Sequence, residues 1–238
     1  MIKLRKSNDR GPSNLGWLNS KHTFSFAHYY DEAFMGYESL RVINDDHVVA
    51  GAGFGTHPHK DMEIISYVLD GALEHKDSMG NGSVIKKGEV QFMSAGTGVT
   101  HSEYNHSKTD EVHFLQIWFL PDEEGLTPKY EQKFFADEEK RGKFRLVVSK
   151  EGREGSLSIN QDVDMSVALM DGDEEASYDL TEGRKVWLHI ARGEIVVNGE
   201  KLEAGDGAAI EDISELKFSD GNKSEIIIFD MAPYSSNI

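Results

Sequence analysis

Short runs of β-forming residues, broken every few positions by Gly, Asn or Asp, continue through most of this 238-residue chain. Glycine occurs 23 times and proline only five times. Punctuation at that spacing leaves little room for helices and reads as antiparallel strands joined by tight turns. In the first part, strands are predicted at 40–44, 53–59, 63–69, 72–76, 82–85, 89–93 and 112–120. They lie close enough in sequence for a sheet closed on itself or a two-sheet sandwich. From Phe144 the pattern restarts, with strands predicted at 144–149, 167–170, 176–180, 186–191, 194–197, 201–202, 207–210, 216–218 and 225–230. The intervening segment 121–143, charged and holding two of the five prolines, reads as a linker with a helical turn at 137–141.

The restart resembles a duplication. VLDGALEHKDSMGNGSVIKKGEVQFM (68–93) and IARGEIVVNGEKLEAGDGAAI (190–210) both run strand, Gly, strand, turn, strand, Gly plus acid, strand. Gly71 then matches Gly193 and Gly88 matches Gly205, with five residues fewer in the second turn. An all-β chain of two units follows, 1–130 and 131–238. The units differ in charge: 18 basic and 22 acidic side chains in 1–150 give −4, and 7 and 20 in 151–238 give −13, together −17. Nine of the ten histidines fall between His22 and His113, leaving only His189 in the acidic part.

Several functions are excluded by this balance. A net charge of −17 with no basic stripe disfavours direct nucleic-acid binding and anionic membrane. The richest apolar stretch, 114–120, is far short of the ~18–20 residues that cross a bilayer. The start MIKLRKSNDRG has no apolar segment behind its charges, so no secretory signal is read and a cytoplasmic location is expected. With no cysteine, thiolate metal sites and cysteine nucleophiles are absent, and any metal must sit on nitrogen and oxygen.

Candidate ligands stand in two motifs. In GTHPHKDME (55–63), His57 and His59 would share one face of a strand. An isolated HxH is common in a chain with ten histidines and carries little by itself. In GTGVTHSEYN (96–105), His101 and Glu103 repeat the spacing, and intervening hairpins could bring the pairs face to face. Three imidazoles and a carboxylate suit Zn, Fe(II), Cu(II), Ni or Mn. Glu63 is a second candidate carboxylate, on the face of His57 and His59 if the strand stays straight. In HTFSF (22–26), His22, Phe24 and Phe26 would share a face, as aromatic core or, less simply, as pocket lining. His75, His106 and His113 have no partner at metal spacing and read as structural or solvated. The acidic clusters at 122–124, 137–139 and 171–175 read as solvated loops.

These motifs resemble those of the cupin superfamily and, more narrowly, of the pirin family along nearly the whole chain. RGPSNLGWLNSKHTFSF, GFGTHPHKDMEI and SAGTGVTHSEYN carry the likeness, with Ser94 in place of the usual Pro of other cupins. The resemblance implies a bicupin of two antiparallel β-barrel or jelly-roll domains, the first holding a metal on His57, His59, His101 and Glu103. Glu63 is then left to hydrogen-bonding or a salt bridge. The second domain has Asp179 and Thr181 where the first has His57 and His59, and so no metal. The likeness is strongest to bacterial pirins that act as quercetin 2,3-dioxygenases, which open a flavonol's central ring with O2 and release CO. It implies one divalent transition metal per chain, Fe(II) foremost and Zn, Cu, Ni, Mn or Co as alternatives, with Glu103 as general base and a planar polyphenol as substrate. The rival it also implies is a metal-sensing transcriptional co-regulator that binds a protein partner without turnover of its own.

Overall fold

Alternation along each strand decides which face meets which neighbour, and in the computed structural model, which describes residues 2–234, the strands form three sheets. One sheet of the first unit has seven strands in the order Lys129–Phe134, Glu89–Ser94, Glu63–Asp70, Val112–Phe119, Leu40–Val48, Leu18–His22 and Gly11–Asn14. Opposite it lies a four-stranded sheet of Gly53–His59, Val99–Asn105, Ala72–Asp77 and Gly82–Lys86. All pairings in these two sheets are antiparallel.

The central strand Glu63–Asp70 is buried along all but its last residue because both faces are covered. Ile65, Tyr67 and Leu69 join a core that includes Trp187, Ile227 and Phe229 of the second unit. Ile64, Ser66 and Val68 point the other way, into the first barrel. The same split divides Val112–Phe119, with Leu115, Ile117 and Phe119 toward the second unit. Phe24 against Trp187, with ring centroids 4.9 Å apart, and Phe119 against Phe229, at 5.7 Å, knit the two units together.

The second unit is a nine-stranded sheet built around two long strands, Lys185–Val197 and Glu215–Met231. Each covers two of the predicted strands. Register shifts at 190/192, 192/194 and 194/196 bend the pair, so one continuous strand serves both sides of the barrel. Gly193 sits at that bend with φ 69°, and a Cβ there would lie 2.3 Å from Asn222 O. Its sequence counterpart Gly71, at φ 77°, would meet Glu111 O at 2.8 Å. The matched glycines thus make equivalent close approaches, which supports the duplication.

Two strands lie across the expected division at 130/131. Ile2–Arg5 pairs with Gly207–Ile210 of the second unit, and Lys129–Phe134, read as linker, is an edge strand of the first. Its charged sequence KYEQKF suits a sheet edge, which is why it reads as a loop. Helix is confined to Asp137–Lys140 and three 3-10 turns among the described residues, and none is long and apolar enough to cross a membrane.

Candidate metal centre

Gly53–His59 and Val99–Asn105 are antiparallel neighbours, with His57 directly opposite His101. His59 lies two residues along the same face. The ring centroids of the three histidines are 4.5–4.8 Å apart, and one nitrogen of each lies within 4.8 Å of the others. His57 Nε2 and His101 Nε2 are separated by 3.1 Å.

The protons are held on the far side of the rings. His57 Nδ1 donates to Gly55 O at 2.7 Å, leaving the lone pair on Nε2. The His75 Nε2 hydrogen is directed at Asp77 Oδ2, 3.1 Å away, so His75 Nδ1 can accept from His101 Nδ1 at 3.4 Å. Burial first, then the charges of His57 and His75, lowers His101 to a pKa of about 3. Burial first, then His101 and His57, lowers His59 to about 4. Both rings are therefore neutral at pH 7. With Nδ1 of His57 committed to Gly55 O and Nδ1 of His101 facing His75, Nε2 of both rings is turned to one gap 3.1 Å wide, the arrangement in which imidazoles take a cation. The residues fit a metal on this ground.

Glu103 follows His101 across a bulge, where Gly53–His59 advances from His57 to Phe54 while its partner moves only two residues. The extra residue lies on Gly53–His59, so alternation keeps Glu103 on the inward face of His101, where it is buried. Ser66 Oγ donates to its Oε1 at 2.9 Å, and Gln116 Nε2 donates to its Oε2 at 2.7 Å. A carboxylate oxygen of Glu103 also lies within 4.8 Å of nitrogens of His101 and His75.

Ser66 and Gln116 belong to a polar row that sequence reasoning missed. His22, Asn44, Gln116, Ser66 and Gln91 occupy consecutive cross-strand positions over five strands. His22 Nδ1 and Asn44 Oδ1 are 2.7 Å apart. The signal was available: each of the three central strands has a polar residue at this depth in an otherwise apolar run, as in EIISYVL, VQFM and FLQIWF. Asp46 lies one step further along the inner face, 3% exposed, with Oδ1 unpartnered. Burial raises it to a pKa of about 7; Ser20 opposes this by hydrogen bonding, while Asp45 and Glu103 add to it through their charge.

Other expectations are revised. Glu63 does not share the histidine face, because the chain turns after His59 with Asp61 at φ 47°. It faces the second unit instead, accepting from Ser94 Oγ at 2.5 Å and from Asn160 N and Nδ2 at 2.9 and 3.1 Å. Its hydrogen-bonded role holds. HTFSF is not one strand: the strand stops at His22, so His22 and Phe26 line the cavity while Phe24 enters the inter-unit core. His75 has a partner in His101. His113 stacks on His47, with centroids 3.9 Å apart, and donates to Asp45 Oδ1 at 2.6 Å on the outer face. His106 is exposed beside Glu74, as expected.

Above the histidines lies a cavity of about 220 Å³, walled by Leu18, Phe26, Phe54 and Trp118. His59 meets the Trp118 ring edge-on at 5.0 Å. The interior of the second unit is an apolar cluster instead. Val186, Leu188, Ile190, Ile226, Ile228 and Phe218 fill its interior, and Asp179 is exposed on an outer strand.

Comparison with known proteins accords with this geometry. The pirin family profile matches residues 3–119, and that of a quercetinase C-terminal cupin domain matches 146–231. The sequence is 50% identical to a quercetin 2,3-dioxygenase of Escherichia coli over 98% of this chain and all of that protein. The chain belongs to the pirin family. This pirin is also 38% identical to a pirin-like protein of Caulobacter vibrioides, over 98% of this chain and all of that one. The crystal structure of the bacterial pirin YhhW of E. coli in complex with nickel(II) superposes with a TM-score of 0.93, at 49% identity, covering 98% of this pirin and all of that chain. The pirin fold is thus a bicupin here, with two cupin-type domains.

Proposed function

We propose that this pirin is a metal-dependent quercetin (flavonol) 2,3-dioxygenase that opens the central ring with O2 and releases CO. The observation that carries the reading is the set of three converging imidazoles beside a buried carboxylate, under a cavity with aromatic walls. The name of the E. coli relative at 50% identity supports the substrate class. His57, His59, His101 and Glu103 would hold one divalent transition metal; the nickel(II) complex of YhhW supports Ni beside the expected Fe(II). When bound, such an ion lowers the pKa of an attached hydroxyl.

The remaining work falls to the chain. Phe26, Phe54 and Trp118 accept a flat ring system and exclude water. Glu103 takes the proton of the flavonol 3-hydroxyl, giving the electron-rich anion that reacts with O2. Ser66 and Gln116 keep its carboxylate from swinging away and stabilise its charge. Gly55 and the Asp77–His75 pair fix the orientation of His57 and His101.

Metal-analysed protein given quercetin and O2 should lose flavonol absorbance and release CO. Turnover independent of metal, or unchanged in His57→Ala, overturns the reading. Glu63→Ala should keep metal and turnover, whereas Glu103→Ala should lose both.

A further inference from the structure

Among the polar atoms around the cavity, Asp46 Oδ1 and Trp118 Nε1 stand out as buried atoms without a hydrogen-bond partner. A buried acceptor left unpaired is costly, and such an atom in the wall of a ligand cavity is satisfied when the ligand supplies the donor. Asp46 is on Leu40–Val48, in the large sheet, while His57, His59 and His101 are on the opposing four-stranded sheet. Its cross-strand neighbours are Ser20 on one side and Phe114 on the other, an alcohol and an apolar ring. A ligand held at the histidines would have its far portion on this side.

We propose that Asp46 is a substrate-binding and specificity-determining residue, whose Oδ1 accepts a hydrogen bond from a phenolic hydroxyl remote from the metal. The proposal rests on the polyphenol reading of the cavity and deepens it: the preferred substrates carry hydroxyls on the rings as well as at the position next to the carbonyl. Trp118 Nε1 supplies the complementary donor, suited to a carbonyl or ether oxygen of the same ligand. A site built to pair a hydroxyl discriminates against an analogue lacking it, because the analogue leaves the protein group unpaired.

The test compares quercetin with 3-hydroxyflavone, which keeps the metal-binding hydroxyl and carbonyl but lacks all ring hydroxyls. Binding to the metal-loaded protein is measured by fluorescence quenching, with kcat and KM alongside. Wild type should prefer quercetin, and Asp46→Ala should weaken quercetin about 10-fold or more while leaving 3-hydroxyflavone unchanged. Asp46→Asn, which keeps size and an acceptor, should recover part of the preference and guards against an alanine variant that fails to fold. Equal weakening of both ligands, or of neither, at unaltered metal content overturns the proposal while the dioxygenase reading stands. Discrimination in binding without turnover supports the role of Asp46 and removes the dioxygenase reading. Wild type that binds neither flavonol removes both.

Discussion

The two barrels of this pirin share a strand grammar and differ in what they put inside it. In the first, the inner face of the large sheet carries His22, Asn44, Gln116, Ser66 and Gln91 in one cross-strand row, with Asp46 beside it. In the second, the corresponding interior is apolar and filled. Polar groups in an interior call for partners, and here Glu103 accepts from Ser66 and Gln116 while His22 pairs with Asn44. An apolar interior needs only to be filled. The second barrel therefore stabilises, and does so twice, since its outer face completes the core that covers the first.

That division can be broken most strongly in the filled barrel. Phe218 is 1% exposed inside it, and Phe218→Ala should cost roughly 3–5 kcal/mol in urea unfolding while leaving metal stoichiometry of the folded protein intact. A comparable loss of metal would show that the barrels are not separate in function. Next in size is His101→Ala, which removes the histidine opposite His57 and should weaken metal binding by about 100-fold or more, the upper range for losing a ligand's supporting partner alone. Calorimetric titration with Ni(II) reads this, and unchanged affinity would remove His101 from the site. Gln116→Leu makes the first barrel resemble the second at one position. It should leave stability within about 1.5 kcal/mol but weaken metal binding about 10–100-fold, because Glu103 loses its Nε2 donor. Full metal affinity in Gln116→Leu would mean that the row is packing only.

How much of this was legible differs between the barrels for the same reason. His57, His59, His101 and Glu103 stand at i, i+2 spacing on single strands, and local alternation shows such pairs directly. Ser66, Gln116 and Asp46 act across strands that only the register brings together, so one strand at a time gives each a bland reading. Glu63 shows the limit of alternation: a straight strand would set it beside His57 and His59, but the chain turns at Asp61 and leaves it the hydrogen-bonded role expected of it. In the second barrel the strands at 186–191 and 194–197 were found as separate pieces, since a bulge depends on the partner strand and has no signature of its own in the sequence. The edge strand Lys129–Phe134 was missed because an edge tolerates the charges that normally mark a loop.

The smallest effect expected concerns the one histidine of the second half. His189 is fully buried on the face turned toward the first barrel, with neither ring nitrogen partnered. Burial above all, with the nearby Arg10 charge, lowers its folded pKa to about 3; Asp45 and Asp206 pull weakly the other way. The unfolded chain takes up this proton near pH 6.5 and the folded one does not until about pH 3. Stability is thus complete above pH 6.5 and falls with acid by about 1.4 kcal/mol per pH unit through that window. Asp46 has the reverse sign, since its folded pKa of about 7 lies above the unfolded value of 3.8, so its contribution is lost as pH rises. His59 and His101 act in the same direction as His189 in metal-free protein. All three of those terms cancel when metal-free wild type is compared with His189→Gln. Urea unfolding at pH 6, 5 and 4.5 should therefore show a shallower decline in the variant by about 1.4 kcal/mol per unit. Parallel curves would mean that His189 is protonated in the folded protein, and the inter-barrel face would then be more polar than the dry core around Trp187 and Phe229 implies.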